Sequence, residues 1–206
     1  SYLAPPRCAV RPPRACPGVS EFGSYLAPPN ILILPGLAPG LCEGESMQDL
    51  QNHHALVTGA SRGIGAATAR RLAAAGADVT LLARSADALE ARCAELSEAF
   101  DGTYLPVTAD VTDRHAVADA IDEARNALSD PTILVNNAGA ADSAPLTHTE
   151  PELWQKMIAV NLHSVYYATR EVLPAMLVAG AGRIVNNAST SGLVGYSYVT
   201  AYSAAK

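Results

Sequence analysis

The chain is 206 residues long, 49% hydrophobic and 17% charged, with 14 basic residues against 20 acidic ones and a net charge of −6. That length suits one domain with an appendage, and the acidic balance argues against nucleic acid or an anionic membrane as the main partner. No apolar run approaches the roughly 20 residues that span a bilayer, and the run at 31–34 is ended by Pro35 and Gly36.

Residues 1–46 read differently from the remainder. They hold nine of the fourteen prolines, with three arginines balanced by three glutamates. The segment SYLAPP occurs at 1–6 and again at 24–29, but two copies do not make a repeat array. Proline pairs at 5–6, 12–13 and 28–29 prevent regular helix and weaken any strand. The expectation is a disordered extension, and Met47 immediately after it raises the alternative that it is foreign to the native protein. A leader peptide is the rival reading, since Arg7, Arg11 and Arg14 precede an apolar stretch. Against it, the gap between basic and apolar residues is long and no small-residue cleavage site is clear. Of the cysteines, Cys8, Cys16, Cys42 and Cys93, none forms a CxxC pair or lies near a histidine at metal spacing. Neither a metal nor a disulfide framework is indicated, and a reducing, cytoplasmic compartment is expected.

From about His53 strands alternate with helices. An apolar run at 54–59 ends in a turn, and 63–76 has helical periodicity with Ile64, Ala67, Leu72 and Ala75 on one side. A β-rich run at 78–83 follows, then a helix over 85–100 capped by Ser85 or Asp87. A third strand is expected at 103–110, a third helix at 113–128 and a fourth strand at 132–139. A long helix over 150–178 is expected to bend near Pro174. A fifth strand at 182–189 and a helix from about Thr200 complete the series. Near-continuous apolar strands alternating with helices predict an α/β fold: a Rossmann-type doubly wound parallel sheet in three α/β/α layers.

The first strand runs into Thr58-Gly59-Ala60-Ser61-Arg62-Gly63-Ile64-Gly65. Glycines there permit a tight turn, close backbone approach to a pyrophosphate and tight helix–strand packing, while the helix N-terminus offers free N–H groups. The strand before and helix after give this turn the context that a lone glycine motif lacks. At the end of the second strand, Ala83 stands where an acid would bind the ribose hydroxyls of NAD, and Arg84 follows it. Arg62 and Arg84 could converge on a 2′-phosphate, which favours NADP(H) over NAD(H). Each taken singly also reads as a surface arginine. Asp110 suits either the adenine edge or a plain strand-end cap.

These residues resemble the short-chain dehydrogenase/reductase family. The resemblance rests on Thr58-Gly59-x-x-x-Gly63-x-Gly65, Asp110-Val111, Asn136-Asn137-Ala138-Gly139, Asn161, Ser189 and Tyr202-x-x-x-Lys206, in that order, over 47–206. Within the family, the glycine turn and the YSAAK ending are most similar to 3-oxoacyl-(acyl-carrier-protein) reductases and related hydroxyacyl and alcohol dehydrogenases. The resemblance implies a ketone–alcohol oxidoreductase with Tyr202 as general acid/base. A phenol ordinarily titrates near pH 10, so a neighbouring ammonium is needed to favour the phenolate, which is the role implied for Lys206. Lys206 would also bind the nicotinamide ribose, Ser189 would hydrogen-bond the substrate oxygen, and Asn161 would hold a proton-relay water. Asn161 in a helix is itself unusual, because Asn is a poor helix former. Ser61, Ile64, Asn137, Ala138 and Gly139 would line the cofactor, with Val111 beside Asp110. A homotetramer or homodimer acting on a small carbonyl or alcohol is also implied.

Other residues read as structural. The five histidines are scattered, and Leu153, Trp154, Met157 and Ile158 suit packing within the long helix. Glu90, Glu95 and Glu98 form a solvated helix face. Five strands fall short of the six of a full sheet of this class, so the chain is expected to be a fragment with C-terminal strands missing. The alternative to an enzyme is then a non-catalytic dinucleotide-binding fragment or scaffold. The loop 190–201, with Tyr196, Tyr198 and Val199, predicts apolar contacts in a substrate pocket without choosing among substrates.

Overall fold

The computed structural model describes residues 50–206, so the Pro-rich segment and the expected domain boundary at 47 lie outside the described residues. Five strands, β1 (His54–Thr58), β2 (Asp78–Ala83), β3 (Tyr104–Thr108), β4 (Ile133–Asn136) and β5 (Arg183–Asn186), form one parallel sheet in the order β3-β2-β1-β4-β5. The helices between and after them are α1 (Gly63–Ala74), α2 (Ala86–Ala99), α3 (Arg114–Ala127), α4 (Pro151–Ile158), α5 (Ser164–Ala179) and α6 (Thr200–Ala205).

Alternation along each strand divides the core into two layers. On β1, Ala55 and Val57 face one way, packing with Ala69 and Ala73 of α1 and Leu89 and Leu96 of α2. Leu56 faces the other way, with Val117 and Ile121 of α3 and Ala168, Val172 and Met176 of α5. The sheet is therefore covered on both faces, as the continuous apolar strands predict. β3 tolerates Pro106 because it is an edge strand, where a missing N–H leaves no neighbour unpaired. β5 is the other edge, and Val185 there is 52% exposed.

Several boundaries differ from the sequence expectation. β3, β4 and β5 all stop short of their predicted C-terminal ends, because Asp110, Asn137–Gly139 and Asn187–Ser189 leave the ladder for the loops beyond the sheet. On α1 the buried stripe is Gly65, Ala69 and Ala73, and Ile64 is 67% exposed rather than packed. Small residues let this helix lie close on the sheet. Ser85 occupies the N-cap of α2 without a side-chain bond, whereas Asp113 caps α3 by accepting from His115 N and Ala116 N. The expected long helix is interrupted at Ala159–His163, a turn of π-helix around Asn161, and α5 runs on through Pro174. π-Turns of this kind recur at functional sites.

Candidate active site

Strand order reverses between β1 and β4, and a crevice opens beyond the carboxyl ends of strands at such a switch point. Two loops meet there. The Thr58 hydroxyl accepts from Asn137 N and Ala138 N, both at 3.0 Å, and donates to Val135 O at 3.4 Å. In return the Asn137 side chain donates to Thr58 O at 3.0 Å and Gly59 O at 3.3 Å. The glycine turn is thereby tied to the end of β4.

The turn has the shape of a phosphate cradle. Gly59 has φ +67°, and a Cβ there would lie 2.8 Å from Ala138 Cα. A Cβ on Gly65 would lie 2.3 Å from Gly59 O, so the turn and the first helical residues pack backbone to backbone. Gly63, φ +58°, has open space where its Cβ would stand. Arg62, at the N-cap of α1, is exposed, and no acidic residue occupies the first turn. This backbone arrangement fits the pyrophosphate of a dinucleotide.

Arg84 is exposed just after β2, next to Asp110 beyond the edge strand. The Asp110 carboxyl is held below its ordinary range chiefly by the Thr112 N–H at 2.9 Å. The Thr112 hydroxyl at 2.8 Å and the Arg84 charge act in the same direction. Both bonds use Oδ1, which suits a strand-end cap and does not choose against the adenine edge. Val111 beside it is buried.

On the other side of the crevice lies Asn161, 3% exposed. Its Oδ1 accepts from Ala140 N at 3.2 Å, while its Nδ2 donates to Ala140 O at 2.9 Å and Met157 O at 3.0 Å. The π-turn aims this amide out of the helix and at the loop after β4. A Cβ on Gly139 would lie 2.8 Å from Asn161 Oδ1 and 3.3 Å from Lys206 Nζ, so both groups border the same spot. Lys206 Nζ donates to Asn187 O at 2.9 Å and lies 6.0 Å from the centre of the Tyr202 ring. Burial lowers the Lys206 pKa; the same desolvation strengthens its pull on nearby negative charge. Ser189 Oγ accepts from Ser191 N at 3.2 Å and Ser191 Oγ at 2.8 Å. With two hydrogens directed at its oxygen, the Ser189 hydroxyl keeps its own hydrogen to donate.

Two participants escaped the sequence reading. Ser191 is buried and orients the Ser189 hydroxyl. Asn187 supplies the carbonyl that anchors Lys206, and its side chain donates to Asn137 Oδ1 at 3.0 Å. Beside it Asn136 donates to Asn186 Oδ1 at 2.9 Å. The signal was present: V-N-N-A ends both β4 and β5, at 135–138 and 185–188. Among the described residues no cluster of histidine, cysteine and acidic side chains would hold a metal ion. Within the same residues no helix is long and apolar enough to cross a membrane.

A parallel sheet with a glycine turn at its switch point and a Tyr–Lys pair across the crevice defines a nucleotide-binding α/β protein. The family model for short chain dehydrogenases matches residues 53–206, and the chain belongs to that family. It is 40% identical over 153 residues to a 2-dehydro-3-deoxy-L-rhamnonate dehydrogenase (NAD(+)) of Sphingomonas, and 39% identical over 153 residues to a D-beta-hydroxybutyrate dehydrogenase of Rhizobium meliloti. Each of these alignments covers 74% of this chain and 59% of the relative. A solved structure assigned as a short-chain alcohol dehydrogenase, from Sinorhizobium meliloti, superposes with TM-score 0.74 at 35% identity. That match covers 77% of this chain and 62% of the solved one. The chain thus spans about three fifths of the length of these proteins.

Proposed function

We propose that the protein is an NADP(H)-dependent oxidoreductase interconverting a ketone and a secondary alcohol, with a 3-oxoacyl thioester as a candidate substrate. The observation that carries this reading is the convergence of Asn161 and Lys206 on Gly139, beyond the switch point, with Tyr202 one helical turn before the lysine. The nicotinamide, when bound, supplies or takes up the hydride. Thr58, Gly59, Ser61, Arg62, Gly63, Ile64 and Gly65 would hold the pyrophosphate end, and Asn137, Ala138 and Gly139 would line the cofactor's path to Tyr202 and Lys206.

The chain's own groups then manage the proton and the carbonyl oxygen. Tyr202 donates its phenolic hydrogen to that oxygen in reduction and recovers it in oxidation. Lys206, fixed by Asn187 O, stabilises the phenolate that forms. Ser189 donates its free hydrogen to the same oxygen, where negative charge develops. Asn161, with its amide committed to Ala140 and Met157, holds the site's back wall and orders the water through which a proton returns to Lys206. Arg84 and Arg62, exposed at the adenosine end, favour a 2′-phosphate. We place this domain at 47–206, with 1–46 as an extension, in a cytoplasmic homodimer or homotetramer.

Turnover of a ketone panel with NADPH and NADH tests the reading. Tyr202→Phe is expected to abolish turnover while leaving cofactor affinity within about twofold, since it removes only the transferred proton. Retained turnover would sink the acid/base role. Arg84→Asp is expected to erase the preference for NADPH, and an unchanged preference would remove the 2′-phosphate contact.

A further inference from the structure

Among the described residues two that are not glycine have a left-handed backbone: Asn52, φ +64°, and Tyr198, φ +67°. Asparagine tolerates that conformation, but for a bulky side chain it is an outlier. The Tyr198 ring does not offset the strain by burial, being 62% exposed. Such residues persist where their surroundings over-determine them, and they concentrate at functional sites.

Tyr198 stands four residues before Tyr202. Its carbonyl accepts from Ala144 N at 2.7 Å, and the carbonyl of the next residue, Val199, accepts from Ser203 N at 2.8 Å to begin α6. The left-handed turn thus does two things at once. It swings the chain from the exposed loop into the catalytic helix, and it bonds that junction to the loop following β4. The same loop carries Gly139, which borders Lys206, and Ala140, which pairs with Asn161.

Resting on the reductase reading above, we propose that Tyr198 is a positioning residue. Its left-handed backbone clamps the start of α6 to Ala144 and so holds Tyr202 in register with Asn161. The contribution is made by backbone geometry, not by the phenol.

Three variants separate the possibilities. Tyr198→Phe keeps the side-chain bulk, Tyr198→Asn eases the left-handed conformation, and Tyr198→Ile, β-branched, opposes it most. The Phe and Asn variants are expected to keep slow hydrogen exchange at the Ala144 amide, with exchange in the Asn variant as slow as wild type or slower. The Ile variant is expected to lose about tenfold in kcat with KM for the nicotinamide cofactor unchanged, and to exchange Ala144 at least about tenfold faster. A merely structural loop residue would not split kcat from KM in this way. Wild-type kcat and Ala144 exchange in the Ile variant would overturn the proposal. So would faster Ala144 exchange in the Asn variant, which remains decisive if the Ile variant does not fold. If wild type reduces no carbonyl compound, the reductase reading falls, and Ala144 exchange across the three variants then decides the clamp alone.

Discussion

Asn161 gives the sharpest test of the site's internal logic. Its amide orientation is fixed by its partners, because Oδ1 meets an N–H while Nδ2 meets two carbonyls, Ala140 O and Met157 O. Asn161→Ala removes three hydrogen bonds, each with a net contribution of about 0.5–1.5 kcal/mol. Ala140 is half-buried, so water replaces part of the loss there, and alanine recovers about 0.5 kcal/mol of helix propensity. The expected cost is about 1–2 kcal/mol, or a Tm lower by about 2–8 °C for a domain of this size. Asn161→Asp should cost more, about 2–4 kcal/mol, although it keeps the shape of the side chain. It sets a carboxylate oxygen against two carbonyl oxygens in a buried site, a repulsion that the Lys206 ammonium, bordering the same spot, offsets in part. That carboxyl is therefore protonated more readily folded than unfolded, so the deficit relative to Asn161→Ala should shrink as pH falls from 8 toward about 5. Urea unfolding at several pH values reads this directly. An Asp variant as stable as the Ala variant at pH 8 would refute the assigned bonding and, with it, the reason for the π-turn.

The sheet was legible because buried parallel strands are written as unbroken apolar runs, and β2 begins and ends where the sequence placed it. The strands facing the crevice were read too long, since N-N-A-G and V-T-A-D still look strand-compatible after the chain has left the ladder. For the long helix, proline attracted the expected irregularity, yet the backbone yields at Asn161, whose side chain competes for a helix carbonyl. Ile64 misled the reading of α1 because hydrophobicity scales rank it above Gly65, although close approach to Gly59 requires the residue without a Cβ. The glycine turn was expected from its spacing and context, and Ser189, Tyr202 and Lys206 from the family resemblance. What supports them was not, because Asn187 O and Ala144 N are main-chain groups that any residue carries. Tyr198 gave no sign either, because a positive φ is expected of glycine and here falls on a tyrosine.

Two further outcomes follow from burial and close contact. Gly65→Ala should lower stability by about 1–3 kcal/mol despite gaining about 1 kcal/mol of helix propensity, because its Cβ would stand 2.3 Å from Gly59 O and backbone must move. A dinucleotide titration should show weakened affinity, and undiminished stability with undiminished affinity would remove the cradle argument. His54 is 1% exposed, with Nδ1 2.7 Å from Ser129 O and Nε2 2.8 Å from Thr80 Oγ1. A carbonyl can only accept, so Nδ1 carries the hydrogen and the Thr80 hydroxyl donates to Nε2: a neutral ring with both nitrogens satisfied. Burial lowers its pKa from 6.5, partly opposed by the Ser129 bond and by Asp78 and Asp130. The unfolded chain therefore binds this proton first, so the stability from a neutral His54 is complete above pH 6.5 and is lost as pH falls below it. Urea unfolding between pH 7.5 and 5 should show a decline of at most about 1.4 kcal/mol per pH unit from this group, absent in His54→Gln. Equal slopes in the two proteins would mean that the buried ring accepts the proton as readily as a solvated one, contrary to its burial at the start of β1.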